Sequence, residues 1–514
     1  MGCTTILVGK NASYDGSTMM ARTDDAPDGQ FDPVEVEVLD PAKLPRIYKS
    51  VQTKCEIKLP ATGLRCTYVP RSDKRPEGIW GEAGINEASV AMTATETITT
   101  NAAVLGADPF VEYQPAHGSV KAVPGGIGEE DYVNLILPYI KTAREGVVRM
   151  GKLLEQYGTY ESNGVGFADE KEIWWVETLG GHHWIARRVP DDTYCIIANQ
   201  LSLDYFDLKD AYGAQKNFMC SADLVDWMKA NHLVPAVGAE DTHGDVLPAR
   251  KSGKAGKAAL YKGIPAVFNP RKNFGSDTWR DRVYNTPRVW YGMSLLNPSN
   301  DYFSDIPEYP AQCPDLPWCR TPESRIHIED IRTVMASHYQ NTPFDPYGSQ
   351  GDQNSRRLYR PVGINRTSFC GLLQVRGNAK GAAKDILWVA MGSVPFGTFV
   401  PVFTNVGKVP AYLKTPMDID THTLYWQVRI VAGLADPEYY KNIDAINNFS
   451  QEMIAEGLRH IATIDAQKTV SQADLEAANE AFCKKAHAGM QSILAGALFK
   501  RSMLMLNRFD MSDH

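Results

Sequence analysis

Apolar and polar positions alternate at the start of the chain. They predict a strand over residues 4–9, a turn over 11–17 carrying Asn11, Asp15 and Gly16, and a second strand over 18–23. The pair reads as a hairpin. Further strands are expected at 35–39, 55–59 and 66–69, and the β-branched run 89–100 reads as another. Over 131–157 the spacing turns helical, with Val133, Leu135, Ile136, Ile140, Val147, Met150, Leu153 and Leu154 on one stripe, and predicts one helix. Four short strands follow at 164–168, 172–178, 183–188 and 194–198. They are punctuated by Asp169-Glu170-Lys171, Leu179-Gly180-Gly181 and Pro190-Asp191-Asp192, and read as an antiparallel meander. A helix is expected over 221–232 with Ser221 as its N-cap, and strands at 365–375 and 385–389. Helices run from 437 to the end, interrupted at 469–474, where Ser471 reads as an N-cap. The stretches 239–261 and 343–356 read as surface loops. The pattern is mixed α+β with a largely antiparallel sheet, an order that fits sheets sandwiched between helices.

Composition narrows the classes. With 514 residues, 43% of them hydrophobic and 22% charged, the chain is an ordinary globular one. A chain this long buries roughly three quarters of its unfolded surface, so neither disulfides nor a structural metal are required. The formal charge of −8 has the wrong sign for a general nucleic-acid binder. No apolar run is long enough to cross a membrane, and the apolar part of the opening decapeptide is too short for a secretory signal. The nine cysteines are scattered without a C-x-x-C, which fits a reducing, cytoplasmic compartment. There is no H-E-x-x-H and no phosphate-binding G-x-x-x-x-G-K. The adjacent His182 and His183 would point to opposite faces of a strand. No metal and no cofactor are expected.

Chemistry concentrates at the N-terminus. Gly2 is small enough for Met1 to be removed, and one further cleavage would leave Cys3 first. Its own α-amine, titrating near ~7.7–8.0, could then take the thiol proton, giving a nucleophile with no need of histidine. A buried structural cysteine is the plainer reading of the same position.

Cys3-Thr4-Thr5-Ile6-Leu7-Val8-Gly9, Asp15-Gly16-Ser17 and Ala21-Arg22-Thr23-Asp24-Asp25 together resemble the opening of the dipeptidase A family. These are cysteine-type N-terminal-nucleophile hydrolases, with penicillin V acylases, bile salt hydrolases and secernins as distant relatives. Gly84-Ile85-Asn86-Glu87, Ala198-Asn199-Gln200, Pro287-Arg288-Val289-Trp290 and His338 to Asp345 also match. The resemblance implies an αββα four-layer sandwich, to which the helical pattern of the sequence adds a C-terminal extension. The peptidase core would span 3–345, and 346–514 would supply the remaining strands and helices. It implies a cytoplasmic cysteine dipeptidase that cleaves short peptides through a thioester on Cys3.

Arg22 would favour the thiolate, Asp25 would hold the new α-amine, Asn199 would donate to the oxyanion beside a backbone N–H near Thr95 and Glu96, and Arg288 would help hold charge. Strict alternation favours Asp24 over Asp25 as the partner of Arg22, unless a bulge intervenes. Arg282 is the rival to Arg288. Asn86 and Glu87 read as a turn, and Trp174-Trp175 as core. The alternatives are an amidase or acylase acting on non-peptide amides, and a non-catalytic secernin-like regulator of secretion. The expected partner is a short peptide, with no nucleic acid and no membrane. The acidic helical C-terminal region could support a homo-oligomer.

Overall fold

The computed structural model describes residues 2–505 apart from 28–29, 74–77, 236–258 and 380. Most of the loop expected over 239–261 lies outside the described residues.

The expected hairpin forms, from Thr4–Val8 and Thr18–Asp25. It lies inside a six-stranded antiparallel sheet. Tyr194–Ile197 pairs with its first strand, while Thr367–Val375 pairs with its second and is followed by Asp385–Met391 and Val400–Phe403. A second, eight-stranded sheet contains Ala83–Asn86, Ala91–Thr97, Asn163–Ala168, Ile173–Leu179 and His183–Val189 among its neighbours. The first three meander strands therefore pair as expected. The fourth does not. Tyr194–Ile197 crosses to the other sheet, because its register partner is Thr5–Val8.

Period-two alternation sets the core. Leu7 and Met20 from the first sheet meet Ile85, Ala91, Ile173 and Trp175 from the second in one apolar layer. Gly166 marks a tight point between them: a Cβ there would come within 2.9 Å of Thr93 on the paired strand of its own sheet and 3.1 Å of Met20 Sδ on the facing sheet. The opposite faces are covered separately. Ile6, Val8, Met19 and Ala21 pack with Trp290, Ile331 and Val334 from the helices Thr286–Leu296 and Ile328–Met335. Phe167, Trp174 and Val176 pack with Leu135, Val147 and Leu154. Trp174 and Trp175 are both core, on opposite sides of their strand.

Three local expectations are corrected. The segment 131–157 is two helices, Glu129–Ile136 and Ala143–Tyr157, parted by a single 3-10 turn that contains Pro138. Proline lacks the N–H an inner turn needs, Ile140 is extended, and Thr142 caps the second helix through Glu145 N. Ser221 is not an N-cap. It continues the strand Phe218–Cys220 by donating its N–H to Trp184 O, and the helix Leu224–Ala230 starts after Asp223. His182 and His183 do not diverge. His182 sits in the turn before the strand, and both imidazoles reach Asp108. Ser471 does cap the last long helix, Gln472–Ser502, with Asp474 returning the bond.

Candidate active site

Cys3 immediately precedes the first strand and is completely buried. Thr5 and Leu7 point between the sheets, and Cys3 shares their side. Arg22, opposite Thr5 in the hairpin register, donates from Nη2 to Cys3 Sγ at 3.2 Å. It also pairs with two carboxylates, Nη1 to Glu82 Oε2 at 2.8 Å and Nη2 to Glu129 Oε1 at 3.3 Å, and Nη1 donates to the Glu82 backbone carbonyl at 3.4 Å. All three side chains are almost wholly buried. Burial opposes the charge on Arg22, but Cys3, Glu82, Asp24 and Glu129 hold it protonated. Burial pushes the Cys3 thiol well up. Arg22 works against that shift, and the charges of Glu96, Asp24 and Asp25 add to it.

Asp24 and Asp25 separate by strand alternation. Asp24 shares the inter-sheet side with Arg22, and neither of its oxygens has a hydrogen-bond partner among the described residues. Burial raises its carboxyl to about 7. Asp25 is fully buried on the other side. It accepts from Thr367 Oγ1 at 2.6 Å and pairs with the Arg360 guanidinium. The bulge that sequence alternation left open lies across from the pair, between Thr367 and Phe369 of the neighbouring strand. Arg360 Nη2 also donates to the carbonyl oxygen of Gly2, so Asp25 is linked through it to the peptide group before Cys3.

Arg288 reaches the site from the helix Thr286–Leu296. It donates to Cys3 O, to Thr4 Oγ1 at 2.8 Å and to Asn199 Oδ1 at 2.7 Å. Burial, reinforced by Arg360, lowers its pKa to about 10. Arg282, the rival, instead pairs with Asp277 and donates to Gln312 O. Asn199 follows the crossing strand Tyr194–Ile197 and donates from Nδ2 to Thr97 O at 3.0 Å. The five residues singled out from the sequence thus fall into one connected cluster. Asn86 does not join it: its side chain holds the turn, accepting from Ala88 and Val90 N–H and donating to Leu137 O and Ile140 O.

A model of peptidase family C69 matches residues 2–452. The chain belongs to this family. A dipeptidase of Bifidobacterium longum is 49% identical over 484 residues, covering 94% of this chain and 85% of that protein. A probable dipeptidase A of Streptococcus pyogenes serotype M3 is 45% identical, with 100% of each chain covered. Dipeptidase A of Lactobacillus helveticus is 37% identical over 99% of each. Among solved structures, a conjugated bile acid hydrolase from Clostridium perfringens aligns at 11% identity and a TM-score of 0.24, over 52% of this chain and 66% of its own.

Sequence reasoning missed four side chains of this cluster: Glu82, Glu96, Glu129 and Arg360. Glu129 opens the run Glu129-Glu130-Asp131, which as sequence announces only a helix N-terminus. Glu96 is re-aimed by a bulge. The register of Ala91–Thr97 against Asn163–Ala168 shifts between Ala94 and Glu96, so Glu96 turns inward and accepts from Thr5 Oγ1 at 2.7 Å. Burial raises its carboxyl to about 7. Among the described residues no group of three or more His, Cys, Asp or Glu side chains could hold a metal ion.

Proposed function

We propose that the chain is a cysteine dipeptidase whose nucleophile is Cys3 once the residues before it are removed. The contact that carries this reading is Arg22 Nη2 to Cys3 Sγ at 3.2 Å, a buried guanidinium on a buried thiol in a chain of a peptidase family. The relatives are dipeptidases by name, and this supplies the substrate class, a dipeptide. The sheets and their covering helices support an αββα arrangement. The scattered reduced cysteines support a cytoplasmic setting.

In the proposed cycle the freed α-amine of Cys3 takes the thiol proton, and Arg22 holds the thiolate. Sulfur attacks the substrate's peptide carbonyl, and the oxygen of the tetrahedral adduct takes up charge beside Asn199. The C–N bond breaks as the proton passes from the α-amine to the leaving nitrogen. Water then hydrolyses the thioester, returning the thiol and releasing the carboxylate. Arg288 holds Cys3 O and Asn199 in place throughout.

The reading is tested with purified protein and a panel of dipeptides. Hydrolysis should persist in EDTA and vanish when Cys3 is alkylated, and the intact mass should begin at Cys3. Activity lost to EDTA and restored by zinc overturns it, as does an active protein whose mass retains Gly2.

A further inference from the structure

A chain that works through a free Cys3 must break the Gly2–Cys3 bond, and the structure holds that bond in a defined setting. Two arginines divide the two carbonyls that flank Cys3. Arg288 donates to Cys3 O, in a bond that stays intact. Arg360 Nη2 donates to Gly2 O, the oxygen of the carbonyl that must be attacked. Arg360 is buried and its charge is matched by Asp25, which keeps the guanidinium ionised against the penalty of burial. Tyr284 closes the other side. Its ring lies 5.4 Å from the Arg360 guanidinium, and its hydroxyl accepts from Arg366 at 2.9 Å. A Cβ on Gly2 would fall 2.2 Å from that hydroxyl and 3.3 Å from Arg360 Nη2.

From this geometry we infer that Arg360 is the catalytic residue on the oxyanion side of self-cleavage at Gly2–Cys3, and that Tyr284 restricts the residue before Cys3 to glycine. The inference rests on the proposed function, since it needs a Cys3 that is set free.

The chemistry balances without an added reagent other than water. Cys3 Sγ attacks the Gly2 carbonyl carbon, closing a five-membered ring, and negative charge develops on Gly2 O where Arg360 already donates. The ring opens by breaking the bond from that carbon to the Cys3 nitrogen. The thiol proton ends on this nitrogen, which becomes the α-amine. A thioester to Gly2 remains. Water hydrolyses it, the Gly2 carboxylate leaves, and the thiol is regenerated. A glycine here leaves the carbonyl unhindered, whereas any side chain would have to displace the Tyr284 hydroxyl or the donor itself.

The experiment follows the intact mass of freshly purified parent, Arg360→Gln and Arg360→Lys over time, with circular dichroism to report folding. The parent should lose Gly2. Arg360→Gln should lose it on the order of 10²-fold more slowly, the usual effect of removing one oxyanion donor. Arg360→Lys keeps a charged donor against Asp25 and should fall between them. Trimming of Arg360→Gln at the parent's rate overturns the role of Arg360 and leaves the proposed function standing. A parent that hydrolyses dipeptides with Gly2 attached overturns both. Should Arg360→Gln not fold, the second arm decides. Gly2→Ala should retain its alanine, and Gly2→Ala combined with Tyr284→Phe should be trimmed. A Gly2→Ala chain processed like the parent, or a double variant that stays untrimmed, overturns the inference.

Discussion

Arg288 donates to the carboxamide oxygen of Asn199 at 2.7 Å, and this contact decides which end of the amide faces which way. With the oxygen held by arginine, Nδ2 becomes the end that donates, and one of its two hydrogens goes to Thr97 O. In the proposed mechanism the other serves the developing oxyanion. Asn199→Ala should therefore lower kcat and kcat/KM together, by ~10²–10³ if this donor is lost from the transition state. It also unpairs a buried arginine N–H and a carbonyl, so the Tm should fall, each lost hydrogen bond being worth about 1 kcal/mol. Dipeptide kinetics beside a thermal melt check both parts. Full kcat in the variant makes Asn199 a structural bridge only.

Arg22 reads out on the free enzyme rather than on the substrate. Its charge opposes the burial that raises the Cys3 thiol. Arg22→Gln should move the pH at which Cys3 is alkylated upward. The measurement is the rate of iodoacetamide labelling against pH, with the labelled site located by mass. An unmoved profile would detach Arg22 from the thiolate.

Glu96 should act with the opposite sign. Its negative charge adds to the upward shift of the thiol. Glu96→Gln keeps an oxygen for the Thr5 hydroxyl and removes the charge, so the same labelling profile should move to lower pH. Opposite displacements in the two variants cannot come from a general loosening of the site. A shift in the same direction for both counts against the electrostatic account.

Asp24 offers a test through stability. Its carboxyl rises from an ordinary 3.8 to about 7 because it is buried. Between those values the folded chain holds a proton that the unfolded chain has released, so its stability contribution is lost as pH rises through that window. Asp24→Asn removes the ionisation. The Tm of the variant relative to the parent should therefore increase from pH 5 to pH 8. A difference that stays flat with pH means that Asp24 does not carry this shift.

What the sequence made legible was local. Periodicity gave the hairpin, the strands of 163–189 and the capped helix after Ser471, because each is written within a few neighbouring residues. The motif matches brought Cys3, Arg22, Asp25, Asn199 and Arg288 forward before any geometry was known. Hidden features depend on events outside a short window. The Glu96 side chain faces inward only because a bulge reverses its parity, and parity counting without the bulge sends it outward. The crossing of Tyr194–Ile197 to the other sheet is a tertiary choice among equally apolar strands. Arg360 sits in a segment with no periodic pattern, and only the folded chain brings it to Gly2. Pro138 was visible throughout, but the regular apolar spacing on both sides of it outweighed its one missing N–H.

The proposed nucleophile is made first and surrounded last. Arg288 lies 285 positions after Cys3, and Arg360 lies 358 positions after Gly2. A nascent chain leaving the ribosome presents the Cys3 thiol hundreds of residues before the groups that surround it exist. Pairing across such separations carries a loop-closure cost that local contacts do not. A truncated product ending before Arg360 would keep the cysteine and lack its setting. On the proposed mechanism, the setting of the thiol is thereby tied to completion of translation through at least that arginine.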